Sequence, residues 1–307
     1  MPLYFDEDVV ERLCEVVLKE TESQFRAVRI ILVDDGSLDG TYLQSLKLHH
    51  LDSRIQLIRL ASNFGQHKAI LAGLSYSTGD LVVVMDSDLQ DRPSDIIRLA
   101  EKMIEDDTMM CISRRQSRAD SLLKRFWSRV FQLVSNLLVP FKVEPRLGGF
   151  RIMRNELVKC LNDTNETTGL PFSLLSSLNV PYSVVDVKRD VRVAGKSGYN
   201  FRKSLKLASD RIITYSGKPI RSAIFLGISL GLGSLLIASY VLINFSIHDK
   251  IIPGWTSLAF MISFFAGLNL IFLGILGEYV NRIYIEARGV PPFVIRSSTL
   301  GENMEDE

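Results

Sequence analysis

Two short apolar runs, each ending in paired aspartates, constrain this chain more than any other feature. Leu81-Val82-Val83-Val84-Met85 runs into Asp86-Ser87-Asp88-Leu89-Gln90-Asp91, and Ile30-Ile31-Leu32-Val33 runs into Asp34-Asp35-Gly36-Ser37. Continuous β-branched runs of this length read as strands covered on both faces, the habit of parallel α/β sheets. The interval between them fits βαβ units with intervening helices. Residues just past the carboxyl ends of such strands face the crevice where open α/β sheets bind ligands. Asp86, Asp88 and Gln90 at i, i+2 and i+4 offer hard oxygen ligands, the kind a divalent cation uses while gripping substrate phosphates. Taken alone, the turn could simply cap the next helix through Asp91 or Ser94. Its recurrence after a second strand argues for a site. Gly36 permits a tight turn there, and Ser37 or Asp39 can cap the following helix.

Three segments carry a family resemblance: Val33 to Ser37 (VDDGS), Asn63 to Leu74 (NFGQHKAILAGL) and Asp86 to Asp91 (DSDLQD). They resemble the nucleotide-sugar half of family 2 glycosyltransferases, most closely the polyprenyl-phosphate branch that includes dolichyl-phosphate mannose synthases and bactoprenol glucosyltransferases. Gly274 to Ile295 (GILGEYVNRIYIEARGVPPFVI) resembles the end of that branch's membrane-anchored bacterial members. The resemblance runs from about Pro2 to Arg296. It implies an α/β fold of GT-A type, a Rossmann-like mixed sheet with helices on both faces, followed by a two-helix transmembrane hairpin. The expected division is a transferase domain at 1–200, an amphipathic juxtamembrane helix at 201–218, two transmembrane helices within 219–280, and a cytoplasmic C-terminal segment with an acidic tail at 281–307.

Hydropathy supports the hairpin. Ser222 to Ile247 and Ile251 to Gly277 carry no charged residue, and each exceeds the roughly 20 residues needed to cross a bilayer. His248-Asp249-Lys250 and Pro253-Gly254-Trp255 form the polar turn with an interfacial tryptophan. Arg202, Lys203, Lys206, Arg211, Lys218 and Arg221 precede the first span and Arg282 and Arg288 follow the second, whereas the loop has only Lys250. Both ends are therefore expected in the cytoplasm, on a multi-pass plasma-membrane protein. Phe201, Leu205, Ala208, Ile212 and Tyr215 recur at helical spacing, as do Phe126, Val130, Phe131, Val134 and Leu138 before Pro140; each set suits a helix lying on the inner leaflet or packed on the catalytic domain. Residues 1–12 lack the pattern of a signal peptide.

Composition removes other classes. A net charge of +1 gives no bulk attraction to nucleic acid. Cys14, Cys111 and Cys160 show no paired spacing and no adjacent His cluster, so buried reduced side chains are expected rather than disulfides or zinc.

The resemblance assigns tasks residue by residue. Pro2 and Tyr4 match a Pro-x-Tyr whose backbone and ring lie beside the nucleotide base. Asp34 or Asp35 would bond the base edge, and Asp86 the nucleoside side of the donor. Asp88 with Gln90 would hold Mg²⁺ or Mn²⁺ against the diphosphate. The implied acceptor is a polyprenyl monophosphate, largely ionised near neutral pH, so the site needs cations that orient it more than a strong base. Arg114, Lys124 and Ser128 fit the acceptor clamp, with Arg125 a near rival to Lys124. Arg189, Arg192 and Ser197 match a loop that folds over the donor diphosphate. The expected catalytic set is thus Asp86, Asp88 and Arg114, in a membrane-bound homo-oligomer that takes a nucleotide sugar, with UDP-glucose the first choice and GDP-mannose an alternative.

Three departures stand against this pattern. The family's first apolar strand, just before Pro-x-Tyr, is expected to be missing because the sequence starts at Met1. Phe5-Asp6 replaces the usual Asn-Glu. Gly149 in Gly148-Gly149-Phe150-Arg151 stands where bacterial members usually carry aspartate, a candidate base. They favour a competing reading, a non-catalytic membrane scaffold descended from a transferase. A processive polysaccharide synthase is disfavoured because no Gln-x-x-Arg-Trp run exists.

Overall fold

The computed structural model describes residues 1–115, 147–163, 178–188 and 254–300, with scattered positions between 172 and 243. The chain divides into two compact units: Met1–Leu133, Phe141–Asn200 and Val290–Glu307 form the first, and Val134–Pro140 with Phe201–Gly289 the second.

The first unit is α/β. In chain order its described elements are β1 (Pro2–Leu3), α1 (Val10–Thr21), β2 (Ile30–Asp34), α2 (Thr41–Leu51), β3 (Ile55–Leu60), α3 (Gln66–Ser75), β4 (Leu81–Val84), α4 (Asp95–Glu105), β5 (Met110–Arg115), β6 (Leu147–Arg154), α5 (Asn155–Asp163) and β7 (Tyr182–Val187); β8 (Ile295–Ser298) returns to it after the second unit's helix. The strands form two four-stranded sheets, ordered β1-β2-β3-β8 and β4-β6-β5-β7. In the first, β1, β2 and β3 are parallel and β8 is antiparallel to β3. In the second, β6 runs antiparallel to both β4 and β5, and β7 is parallel to β5.

The two apolar runs are strands β2 and β4, and both are packed on both faces. Leu32 and Ile30 join a core with Leu13 and Val17 of α1, while Val33 turns to Ala69 and Ala72 of α3. On β4, Val82 and Val84 pack with Ile70 and Leu74 of α3 and with Leu157 and Val158 of α5. The larger core draws on both sheets, joining Leu3 and Leu57 to Met85, Phe150 and Ile152 under α1 and α4. This is the expected mixed-sheet architecture with helices on both faces.

Pro2–Leu3 form a short β1 in register with Val33 and Asp34 of β2. The Met1 amino group donates to the Ile31 carbonyl (2.8 Å) and the Val33 N–H to the Met1 carbonyl (3.0 Å). β1 is one edge of its sheet, with β8 the other, and β4 is one edge of the second sheet, with β7 the other. Val290 onward belongs to the first unit, where β8 zips onto β3, Thr299 exchanges main-chain and hydroxyl hydrogen bonds with Leu57, and Phe293, Ile295 and Leu300 pack against Val33 and Ile58. Cys14 and Cys111 are buried as expected, their thiols pushed up to about 12 and about 11 by burial. Cys160 is exposed on α5.

The second unit contains α6 (Trp255–Ala287), a 33-residue helix. Among the described residues it is the one helix long and apolar enough to cross a membrane, over Phe264–Ile285, with none of that window buried. The two-helix hairpin thus reduces to one described candidate, which continues past the expected end at Gly277. Of the first span, only scattered positions from 223 to 243 are described; these are helical, and Phe225, Ile228, Leu236 and Tyr240 are exposed. The amphipathic segments at 126–139 and 201–215 lie outside the described residues.

Candidate active site

The carboxyl ends of β1, β2 and β4 are knitted together by partly buried polar contacts. Asp35 is 3% exposed, and its two oxygens accept the N–H groups of Phe64 (2.7 Å) and Gly65 (2.8 Å). Burial raises the Asp35 carboxyl, and these two hydrogen bonds oppose the shift. Gly36 has φ +71°, and a Cβ there would lie 2.6 Å from the Ser62 carbonyl carbon. The VDDGS turn is therefore glycine-dependent because the NFG segment presses against it. Asp34 is fully buried. Its Oδ1 accepts the Ser37 N–H, and its Oδ2 lies 3.4 Å from Arg59 Nε without hydrogen-bond geometry. Arg59 in turn stacks on Tyr42. Of the two aspartates expected to read the base, Asp35 is engaged in holding the start of α3. Asp34 keeps a buried oxygen with no hydrogen bond among the described residues.

β1 leads into a strained corner. Phe5 has φ +59°, a left-handed conformation costly for a bulky side chain. Its N–H donates to Ser37 Oγ and the next N–H, of Asp6, to Thr41 Oγ1, which pins the turn. The Tyr4 and Phe5 rings meet edge to face at 4.6 Å and are about half exposed, whereas Pro2 is buried within β1. Tyr4 thus keeps an accessible ring, and the departure at Phe5 adds a second one beside it.

Asp6, within the Phe5-Asp6 departure, is built into the site. Its Oδ2 accepts the Tyr4 N–H and the Ser87 hydroxyl, both at 2.8 Å, which ties β1's end to the DSD turn. Burial raises the Asp6 carboxyl, and the charges of Asp39 and Asp88 add to that rise, opposed by the two hydrogen bonds. Its only sequence signal was an acid two residues after Tyr4.

Within the DSD turn, Leu89 has φ +53° and packs against the core. This strained residue lets the chain fold back so that Asp88 Oδ1 accepts the Gln90 N–H at 3.1 Å. The two residues expected to hold a metal therefore sit together. Hard carboxylate and amide oxygens are the donor chemistry that Mg²⁺ or Mn²⁺ suits. Among the described residues no three His, Cys, Asp or Glu side chains form a complete ligand cluster. A cation here would have to share its shell with phosphates, as Mg²⁺ commonly does. Asp86 accepts the Gln66 side-chain amide at 2.7 Å; Gln66 lies in the Asn63–Leu74 segment, where nothing local specifies its partner.

Gly149 proves to be Asp86's neighbour. Extending the β4/β6 register from Val84 and Arg151 sets it opposite Asp86, and a Cβ at 149 would lie 3.5 Å from Asp86 Oδ1. An aspartate there would put two carboxylates face to face. Arg151 braces the strand by donating to the carbonyls of Gly148 and Gly149 and stacks on Phe172.

Arg114 ends β5. Because β4 and β5 both run antiparallel to the intervening β6, their carboxyl ends emerge on the same side, about 10 Å apart at two strand spacings. Arg114 donates to Asp186 of β7 through Nε (2.6 Å) and Nη2 (3.0 Å). The guanidinium holds the Asp186 carboxyl below the usual carboxylate range. Asp186 carried no sequence signal. Lys124, Arg125, Ser128, Arg189, Arg192 and Ser197 lie outside the described residues.

The family model described as glycosyl transferase family 2 matches residues 1–162. Glycosyltransferase YkcC of Bacillus subtilis (strain 168) is 32% identical, covering 99% of this chain and 94% of that protein. The bactoprenol glucosyl transferase of Shigella phage SfX is 31% identical over 97% of each chain. Among solved structures, the mannosyltransferase PcManGT of Pyrobaculum calidifontis, determined with GDP-Man and Mn²⁺, is 17% identical with a TM-score of 0.46, covering 95% of this chain and 85% of that one. The chain belongs to glycosyltransferase family 2, and it is a glycosyltransferase with a GT-A-like α/β fold.

Proposed function

We propose that this glycosyltransferase moves a hexose from a nucleotide sugar, UDP-glucose by preference, to a polyprenyl phosphate at the cytoplasmic face of a membrane. The observation that carries this reading is the gathering of Asp6, Asp86, Asp88 and Gln90 at one end of the strands, with Arg114 on the same side. The near-full-length similarity to bactoprenol glucosyl transferases supports the lipid acceptor. The exposed apolar window of α6 supports attachment to lipid.

In this reading, Tyr4 and Phe5 border the base, Asp34 and Asp86 the nucleoside, and Asp88 with Gln90 would hold the metal. A bound Mg²⁺ or Mn²⁺ would neutralise charge growing on the departing diphosphate. Arg114 orients the acceptor phosphate, joined by Lys124 or Arg125 and by Ser128, while Arg189, Arg192 and Ser197 attend the donor diphosphate. An ionised phosphate oxygen forms the new bond to C1 as the C1–O bond to the nucleotide breaks and the nucleoside diphosphate leaves with the electron pair, inverting the anomeric centre. With glycine at 149 no carboxylate is available there as base, and acceptor ionisation supplies the nucleophile.

The test is to incubate membranes holding the full chain with undecaprenyl phosphate, Mn²⁺ or Mg²⁺ and a panel of labelled nucleotide sugars. One donor should label an organic-soluble, mild-acid-labile product. Label from GDP-mannose alone would reassign the donor. No labelled lipid with any donor would favour the non-catalytic scaffold suggested by Phe5 and Gly149.

A further inference from the structure

The geometry points to Asp186 as the residue that positions Arg114 for the acceptor phosphate, an inference that rests on reading Arg114 as an acceptor cation. β5 and β7 are parallel, and Arg114 and Asp186 are direct partners in their register. Side chains at paired positions share one face of a sheet, so the contact follows from the ladder itself. The two hydrogen bonds, Nε to Oδ1 and Nη2 to Oδ2, form a side-on fork. A fork of this type fixes the guanidinium plane as well as its place. A guanidinium carries five N–H groups in that plane. Two are directed at Asp186, and the stereochemistry turns the rest away from the carboxylate, in an orientation set before any phosphate arrives.

Asp186 is itself steadied from the opposite side. Arg98 of α4 donates from Nη2 to the Asp186 main-chain carbonyl (3.3 Å) and from Nη1 to Asp95 Oδ1 (2.5 Å). Asp95 is 5% exposed at the start of α4. A line of alternating charge, Asp95–Arg98–Asp186–Arg114, therefore runs from a buried helix start across β7 to the carboxyl end of β5. The terminal pair is about half exposed, and exposed ion pairs add little to stability. Its worth lies in ordering a long side chain whose freedom would otherwise be lost when phosphate binds.

The test measures binding rather than turnover, so it does not depend on the sugar donor. Farnesyl phosphate is titrated into the full chain in detergent, with UDP and Mn²⁺ titrated separately and thermal unfolding recorded for each variant. Asp186→Asn should weaken farnesyl phosphate binding about ten-fold, with UDP–Mn²⁺ affinity and thermal midpoint unchanged. Asp186→Glu, which keeps the bidentate acceptor, should restore most of the affinity. Arg98→Ala should shift it in the same direction as Asp186→Asn, by less. Unchanged or tighter farnesyl phosphate binding in Asp186→Asn overturns the positioning role, as does a general fall in stability and in UDP–Mn²⁺ affinity. Arg114→Ala separates this inference from its parent. If it alone weakens binding, the Asp186 role fails and the acceptor reading stands; if it leaves binding unchanged, the acceptor reading itself fails.

Discussion

The two halves of the site are held by opposite means. At the carboxyl ends of β1 and β2, Asp34 and Asp35 are at most 3% exposed; both Asp35 oxygens and Asp34 Oδ1 accept main-chain N–H groups of the surrounding loops. At the ends of β5 and β7, Arg114 and Asp186 have side chains 44% and 49% exposed and bond to each other. A buried carboxylate that satisfies main-chain donors is part of the fold, and its loss strands those donors. An exposed fork adds little to stability, so its worth lies in holding a side chain in place. The donor half is thus built as structure, and the acceptor half as a positioned grip.

The largest effects test whether the halves act separately. Asp88→Ala removes the carboxylate paired with Gln90. Mn²⁺-dependent UDP affinity should fall on the order of 100-fold, read by calorimetry, and retained affinity would reject the metal assignment. Arg114→Ala should do the reverse, keeping UDP–Mn²⁺ binding while lipid-linked product falls on the order of 100-fold, the worth of two charge-assisted hydrogen bonds at about 1.5 kcal/mol each. Parallel losses in both assays would erase the division.

Stability should separate the halves next. Asp35→Ala leaves the Phe64 and Gly65 N–H groups without their acceptor and should cost about 2–4 kcal/mol, seen as a lowered thermal midpoint of the full chain in detergent. Arg114→Ala should move that midpoint little. Equal shifts would mean that the acceptor end is as structural as the donor end.

The smallest effect concerns strain. Phe5→Asn relieves a left-handed φ that asparagine tolerates, worth about 1 kcal/mol or roughly 2–4 °C in midpoint. It also removes an exposed ring beside Tyr4, so UDP binding should weaken as the protein becomes more stable. A variant that is both less stable and unchanged in binding would make Phe5 a packing residue.

Much of the donor half was legible in the chain, because its information is local. Consecutive β-branched residues specify a doubly covered strand, a glycine after two aspartates specifies the turn, and both are read within a few residues. The Asp6–Ser87 bond was not legible. It joins positions 81 residues apart, and a lone acid in a turn shows nothing about which loop lies opposite. Nor was the return of β8, since Ile295–Ser298 has no pattern that selects the β3 edge. The two-residue β1 escaped because pairing of so short a segment depends on β2 already being in place.

By itself, the sequence determined the strand–helix alternation, the motif turns at the strand ends, the family, and apolar stretches unsuited to water. Only the tertiary structure decided which of the paired aspartates serves the fold, that Gly149 faces Asp86, that Asp6 anchors the DSD turn, and that Arg114 is gripped by Asp186. The physical reason is register. Periodicity and turn chemistry act between neighbours, whereas cross-strand partners follow from how whole strands slide into alignment as their apolar faces are buried. A slip of one residue would turn Arg114 and Asp186 to the opposite faces of their strands without changing either local pattern.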